Sequence, residues 1–284
     1  MNPTFSANPV SDLNQLFQYP FMVHALQAGT IVALVGALIG WFVVVRRESF
    51  VCHTLSVMSF PGASGAALAG LPLASGYFAF AVAGALAIAA GSRAGARRSL
   101  SHESAVVGTV GAVALALGFL FLSLYGGVLE SVETLLFGSA VGISAGQVRT
   151  LALVGALAAI ALAAIARPLL YASVDEQAAR ADGVPVRALA VAFLVLLALA
   201  VAAIAQIVGV LLTFALLVAP AATAQQLTAR IGASLAIAVA LALIEVWAAL
   251  ALTYFTNVAL GFYVTTIALA FYALAHAARK LRHS

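Results

Sequence analysis

Charge is what this sequence has least of. Thirteen Lys and Arg and nine Asp and Glu make up 8% of 284 residues, against roughly a quarter in soluble domains. A soluble globular domain is therefore excluded, as is any nucleic-acid footprint in the formal charge of +4. Cysteine is nearly absent as well: Cys52 stands alone, which rules out an internal disulfide and a cysteine-based structural zinc site. No Gly-x-x-x-x-Gly-Lys-Ser/Thr loop occurs, so the chain lacks the cradle that nucleotide phosphates need. Residues 1–20 contain neither a basic residue nor an apolar core. They lack the layout of a cleavable signal peptide, and the first apolar block is expected to be its own insertion signal.

What is present is hydrophobic: 64% of the residues, with a mean hydropathy of +1.14. The apolar blocks follow one another almost without interruption from Phe21, each close to the 20 or so residues that a hydrocarbon core of about 30 Å demands of a helix. The expectation is an all-α polytopic membrane protein with about nine transmembrane helices, over 21–45, 49–71, 75–91, 104–125, 148–166, 188–206, 208–229, 232–256 and 258–278. Basic residues are held on the cytoplasmic side during insertion. With the N-terminus outside and the C-terminus cytoplasmic, Arg46, Arg47, Arg93, Arg97, Arg98, Arg167, Arg180, Arg187, Arg230, Arg279, Lys280 and Arg282 all fall inside, and only Arg149 falls outside. The expected layout is an extracytoplasmic segment 1–20, a transmembrane domain 21–278 and a cytoplasmic tail 279–284. Gly36-Ala37-Leu38-Ile39-Gly40 is a small-xxx-small face, of the kind that packs helices closely where lipid gives them no hydrophobic reason to associate.

Two stretches punctuate the spans. The run from Ile207 to Ala224 is long enough to cross a bilayer yet carries Gly209 and Pro220 inside it. The second span contains Pro61-Gly62, which should break it. Broken helices are where membrane proteins expose backbone to what they carry.

Few side chains in the spans carry chemistry. Glu245 lies mid-span, either as a ligand or gate in a polar pathway or as a protonated acid bonded to a neighbouring helix. His53 precedes the Pro61-Gly62 interruption; a neutral imidazole is a common transition-metal ligand, though a lone His is more often a packed polar residue. Cys52 and His53 are adjacent, so on a helix they point about 100° apart and do not suit one ion; Cys52 reads best as a small buried hydrophobe. His24, near the outer end of the first span, is a weaker candidate. Glu130 and Glu133 share a helix face at i,i+3 spacing in the outer loop 126–147. They either attract cations or dock a partner, or form a plain solvated face.

The loop from Arg167 to Arg187 is different in character. Pro168 is expected to end the fifth span, Ser173 or Asp175 to cap a short helix, and Gly183-Val184-Pro185 to stop it. A rigid short helix between two spans suits the transmission of force to a soluble partner.

These pieces in this order resemble a known family. They are Arg46-Arg47-Glu48-Ser49-Phe50 leading to Leu55-Ser56 and Pro61-Gly62, Glu103-Ser104-Ala105-Val106-Val107-Gly108 with Ala116-Leu117-Gly118, and Leu136-Phe137-Gly138. After them come the Asp175-Glu176-x-Ala178-x-x-x-x-Gly183 loop, Val208-Gly209-Val210-Leu211-Leu212 through Pro220-Ala221-Ala222-Thr223-Ala224, and Gly261. The chain resembles the zinc, manganese and iron permeases of ATP-binding-cassette importers, relatives of the cobalamin and siderophore permeases, over about residues 21–278. The resemblance implies the type II importer permease fold, a homodimer with the translocation path between its copies, and no hydrolysis by the chain itself. It implies a cytosolic ATPase held through the coupling helix at about 173–187, with Asp175, Glu176, Ala178, Arg180 and Gly183, and an extracytoplasmic binding protein that delivers the metal near Glu130 and Glu133. It also implies a place in the bacterial cytoplasmic membrane, no permanently bound cofactor, and a divalent metal, zinc foremost, as cargo.

One departure stands out. The family's second-span motif usually reads Gly-Asp-Ala-Leu-Ser-His-Ala-x-x-Pro-Gly, with Asp and His facing the metal path. Here Cys52 replaces the Gly, His53 the Asp and Val57 the His. An i,i+4 chelating pair has become one imidazole, leaving His53 of two copies, or Glu245, to supply ligands. The same architecture suits a bulkier chelate such as haem, cobalamin or a siderophore. A remote alternative is an intramembrane serine protease of the rhomboid type, on Gly62-Ala63-Ser64-Gly65, which needs a His on another span. A secondary transporter would use buried charges and paired repeats, and only Glu245 is clearly buried.

Overall fold

The structure, a computed structural model, describes residues 18–91, 100–125, 136, 142–210, 212–256 and 258–283. Glu130, Glu133, Arg93, Arg97 and Arg98 lie outside the described residues. Regular structure among the described residues is helical: α1 (Pro20–Val45), α2 (Ser49–Leu68), α3 (Leu73–Gly91), α4 (Leu100–Tyr125), α5 (Ala145–Val174), α6 (Glu176–Ala181), α7 (Val186–Val208), α8 (Thr213–Leu227), α9 (Ile231–Thr256) and α10 (Leu260–His283). Seven of these are long and apolar enough to cross a membrane: α1, α3, α4, α5, α7, α9 and α10.

The remaining long segments of the nine expected spans are α2 and α8, and both are held inside the bundle. α2 packs against α3, α4, α7 and α8, and α8 against α1, α9 and α10. Their polar content follows from that position, since a helix screened by neighbours need not match lipid. α2 buries Thr54, Ser56, Ser59 and Ser64, and α8 buries Thr213 and Thr223.

α1 and α7 form the centre, each with about two thirds of its apolar window buried. The small residues of α1 make this possible. A Cβ on Gly29 would come within 2.7 Å of Val246 on α9, one on Gly36 within 3.1 Å of Ile204 on α7, and one on Gly40 would overlap the Leu217 carbonyl oxygen of α8. Where helices touch backbone to backbone, dispersion contacts and interhelical hydrogen bonds replace a hydrophobic drive that lipid does not supply. Two such bonds seat α9 on α1: Trp41 Nε1 donates to Ser234 Oγ and Trp247 Nε1 to Thr30 Oγ1, both at 3.0 Å.

The expected helix breaks need correction. α2 runs unbroken through Pro61 and Gly62, α8 through Pro220, and α5 through Pro168 to Val174, rather than ending at 166. A proline in a helix forfeits one i−4 bond and crowds the previous turn. In lipid, however, unwinding would strip several more backbone groups of partners, so the helix persists. Gly62 serves a different end, because a Cβ there would overlap the Gly76 carbonyl oxygen of α3 and one on Gly76 would overlap that of Gly62. Pro61-Gly62 is thus the close crossing of α2 and α3. The backbone does change course at Gly209. It lies beyond α7 rather than within a span, and its φ of 91° is a left-handed value that favours glycine.

Basic residues gather at one end of the bundle. Arg46 reaches Ser173 at the end of α5, Gln225 near the end of α8 donates to the Trp41 carbonyl, and Ser234 near the start of α9 meets Trp41. These links bring Arg46, Arg47, Arg180, Arg187 and Arg230 to the same end, while Arg149 sits near the start of α5, 25 residues of helix from Val174 at its far end.

Candidate functional site

His53 lies one turn into α2, exposed, with its ring edge-on to Phe214 in the first turn of α8 at 5.7 Å between centroids. Phe214 stands just past the Gly209 turn, so α2 and the entry to α8 meet at this imidazole. Val57, one turn further along α2, is buried. Pro61 has no N–H for the Val57 carbonyl, which leaves that oxygen without its helical donor. Cys52 is fully buried beside His53 and points into the core; a buried thiol behaves as a small hydrophobe.

The other candidates are not brought to His53. His24 sits near the start of α1, about 30 Å of helix from the Arg46 turn at 1.5 Å per residue, whereas His53 is close to that turn. Glu245 is fully buried on α9, which packs on α1, α8 and α10 and shares no packed interface with α2. Neither of its carboxylate oxygens has a hydrogen-bond partner among the described residues. Among the described residues, no group of three or more His, Cys, Asp or Glu side chains is close enough to hold a metal ion. The Gly62-x-Ser64-Gly65 segment does not make a serine nucleophile: Ser64 is buried, and its hydroxyl donates to the Phe60 carbonyl at 2.9 Å.

The short polar element between α5 and α7 is built as a rigid piece. The helix itself is only Glu176–Ala181; of 173–187, Ser173 and Val174 end α5, Val186 and Arg187 begin α7, and the remainder is cap and turn. Asp175 is the cap, accepting from Ala178 N–H at 2.9 Å. Ser173 instead donates to the Leu169 carbonyl at 2.5 Å. Glu176 pairs with Arg180 at i,i+4, Tyr171 donates its hydroxyl to Asp182 at 2.6 Å, and Ala179 is packed out of solvent. Gly183, at φ 79°, turns the chain toward α7. Asp175→Ala is expected to destabilise α6 by about 1 kcal/mol, the usual worth of an N-cap. Faster hydrogen exchange confined to 176–182 would register it, and unchanged exchange there would contradict the role.

A cation that sequence reasoning passed over anchors this piece. Arg46 donates from Nε and Nη2 to Glu48 Oε1 at 3.0 and 2.7 Å and from Nη1 to Ser173 Oγ at 3.3 Å, and its guanidinium lies 5.1 Å from the centre of the Phe193 ring on α7. In the sequence it reads as a positive charge after an apolar span and as part of the Arg46-Arg47-Glu48-Ser49-Phe50 piece, and neither reading points to Ser173 or Phe193.

Comparison with known proteins agrees with this architecture. A manganese transport system membrane protein, MntC, from Halalkalibacterium halodurans is 28% identical over 262 residues, 92% of this chain and 88% of its own. A chelated iron transport system membrane protein, YfeC, from Yersinia pestis is 31% identical over 229 residues, 81% of this chain and 76% of its own. A chain in the structure of PsaBC from Streptococcus pneumoniae in complex with Fab has the same fold, with a TM-score of 0.83 at 24% identity over 94% of both chains. The model of the ABC 3 transport family matches residues 18–279. This multi-pass membrane protein therefore belongs to the ABC 3 transport family, as one of its permeases.

Proposed function

We propose that the chain is the transmembrane permease subunit of an ATP-driven importer for a divalent transition metal, of the manganese and iron class named for its relatives. The observation that carries this reading beyond family membership is α6, a capped and stapled polar helix at the Arg-rich end of an apolar bundle. Basic residues mark the cytoplasmic side, so the N-terminus faces out, α6 faces the cytosol, and nine helices cross, with α2 and α8 counted among them. A cytosolic ATPase grips α6, with Asp175, Glu176, Ala178, Arg180 and Gly183 forming or shaping the grip. The chain itself hydrolyses nothing. Two copies enclose the path, an extracytoplasmic binding protein delivers metal near Glu130 and Glu133, and the assembly sits in the bacterial cytoplasmic membrane.

His53 is the metal-facing residue of this reading. It is exposed where α2 meets the start of α8, and two copies related by a twofold axis would present two imidazoles. Oxygen-rich sites suit manganese and imidazole suits iron and zinc, so the loss of the family's Asp tilts the preference from manganese toward iron or zinc. A chelate remains the second reading, favoured by the relative named for chelated iron.

The test is ATP-dependent uptake by proteoliposomes holding this chain, its ATPase and the binding protein, offered manganese(II), iron(II) or zinc(II) separately. Uptake of at least one ion is expected, and His53→Ala is expected to remove most of it without loss of the purified complex. Uptake of none of the three ions, with chelates taken up instead, would replace the free-ion reading.

A further inference from the structure

We propose that Arg46 is a positioning residue that transmits movement of α6 to α2, and so to His53. The proposal rests on the ATP-driven reading above. α6 is locked to α5 at both ends, by the Asp175 cap where α5 passes into α6 and by the Tyr171–Asp182 bond that reaches back across it. A push on α6 therefore moves the last turn of α5 with it.

Ser173 lies in that last turn, two residues before the cap, and receives Arg46 Nη1. The same guanidinium holds Glu48 through two N–H groups. Glu48 is the N-cap residue of α2, five positions before His53. The Arg46 guanidinium also lies 5.1 Å from the centre of the ring of Phe193, which is fully buried on α7 and packed against Phe42 at 6.3 Å. One planar cation thus joins the ends of α5 and α1, the start of α2, and α7. Its side chain is 13% exposed and that of Glu48 18%. Partial burial makes such a pair firmer than an open surface pair, which is worth little.

The backbone beside it is shaped to the same end. Arg47 has φ 59°, the only non-glycine residue with a positive φ among those described. A left-handed arginine is uncommon, and here it closes a turn short enough to return the chain into α2 within three residues. The turn has no slack, so displacement of Arg46 is passed on to Glu48. The guanidinium's fork also explains why a lysine would not serve: a point charge on a flexible stem cannot grip Glu48 through two N–H groups while a third N–H holds Ser173.

The test uses the reconstituted complex of this chain with its ATPase, in a Cys52→Ser background with His53→Cys as a reporter. The rate of thiol labelling at position 53 is measured without nucleotide and with ATP plus vanadate. With Arg46 intact, nucleotide is expected to change the labelling rate. In Arg46→Ala and in Arg46→Lys, the ATPase still co-purifies and hydrolyses ATP, but the rate no longer responds. Ser173→Ala, which removes one bond and leaves the Glu48 pair, gives a reduced response. A merely structural role would lower yield or melting temperature and keep the response in whatever complex is recovered; that result overturns the proposal, as does a labelling rate that ignores nucleotide with Arg46 in place. Failure of any ATPase to bind the unsubstituted chain overturns the importer reading, and the coupling with it.

Discussion

Replacing Gly40 with Val is expected to leave no folded protein to purify. A Cβ at this position overlaps the Leu217 carbonyl oxygen, and the obstacle is backbone. A flexible side chain could swing aside, but α8 cannot retreat without also leaving α9 and α10. Ordinary overpacking costs about 1–3 kcal/mol when side chains can adjust. Here adjustment means separating two central helices and losing the Gln225 bond to the Trp41 carbonyl, so the cost exceeds that range. Even Gly40→Ala should lower the melting temperature sharply, because the clash lies at Cβ itself. Gly232→Ala is the control, since nothing lies within 4 Å of a Cβ there. The measurement is the monodisperse yield after detergent extraction and the thermal melt. A Gly40→Val protein that melts with the parent would show that α1 and α8 do not cross as described.

That crossing also separates what the sequence can disclose from what it cannot. The small-xxx-small pattern at Gly36 and Gly40 announces a close helix contact, but not that Ile204 and Leu217 are what approach. Seven of the nine expected spans were legible because apolar length is set by bilayer thickness. The prolines misled for the opposite reason. Rules for where helices stop come from water, where a freed carbonyl finds solvent. Inside a bundle, Pro61, Pro168 and Pro220 are all carried within continuous helices. Glycine, which supplies φ values that proline does not, makes the break at Gly209.

The short polar helix was legible because caps are local: Asp175, Glu176 and Gly183 lie within nine residues of one another. What holds it was not. Arg46 and Ser173 are separated by 127 positions, and nothing near either one signals the other. An Arg-Arg-Glu after an apolar span has a sufficient explanation in membrane topology, and that explanation hid the second role. His53 and Glu245 show the same limit from the other side. Both were found by their residue type in an apolar setting, but type says nothing of whether two such residues share a face, and these sit on helices that do not pack together.

Glu245 yields the second large effect, and one with opposite signs in two measurements. Glu245→Leu is expected to raise the melting temperature of the complex and to abolish metal uptake. The acid is fully buried, and neither oxygen is hydrogen-bonded among the described residues. Burying a polar group without a partner costs about 1–3 kcal/mol on mutational scales, and Leu, of similar bulk, would recover that amount while filling the site. Along α9, Ala238, Ala242 and Ala249, at helical spacing from Glu245, are also buried, so this face of the helix is otherwise mostly apolar. The expected loss of uptake follows from the cost of an acid within a span, which marks such a residue as a functional candidate by default. Glu245→Gln keeps the shape and a hydrogen-bonding head, so it should melt close to the parent and retain part of the uptake. Glu245→Lys places an unpaired cation in the same apolar surroundings and should prevent folding. If Glu245→Leu melts lower than the parent, the carboxyl has a partner in the resting state. If it melts higher and still transports, the acid has no part in the path, and His53 must carry the chemistry without it.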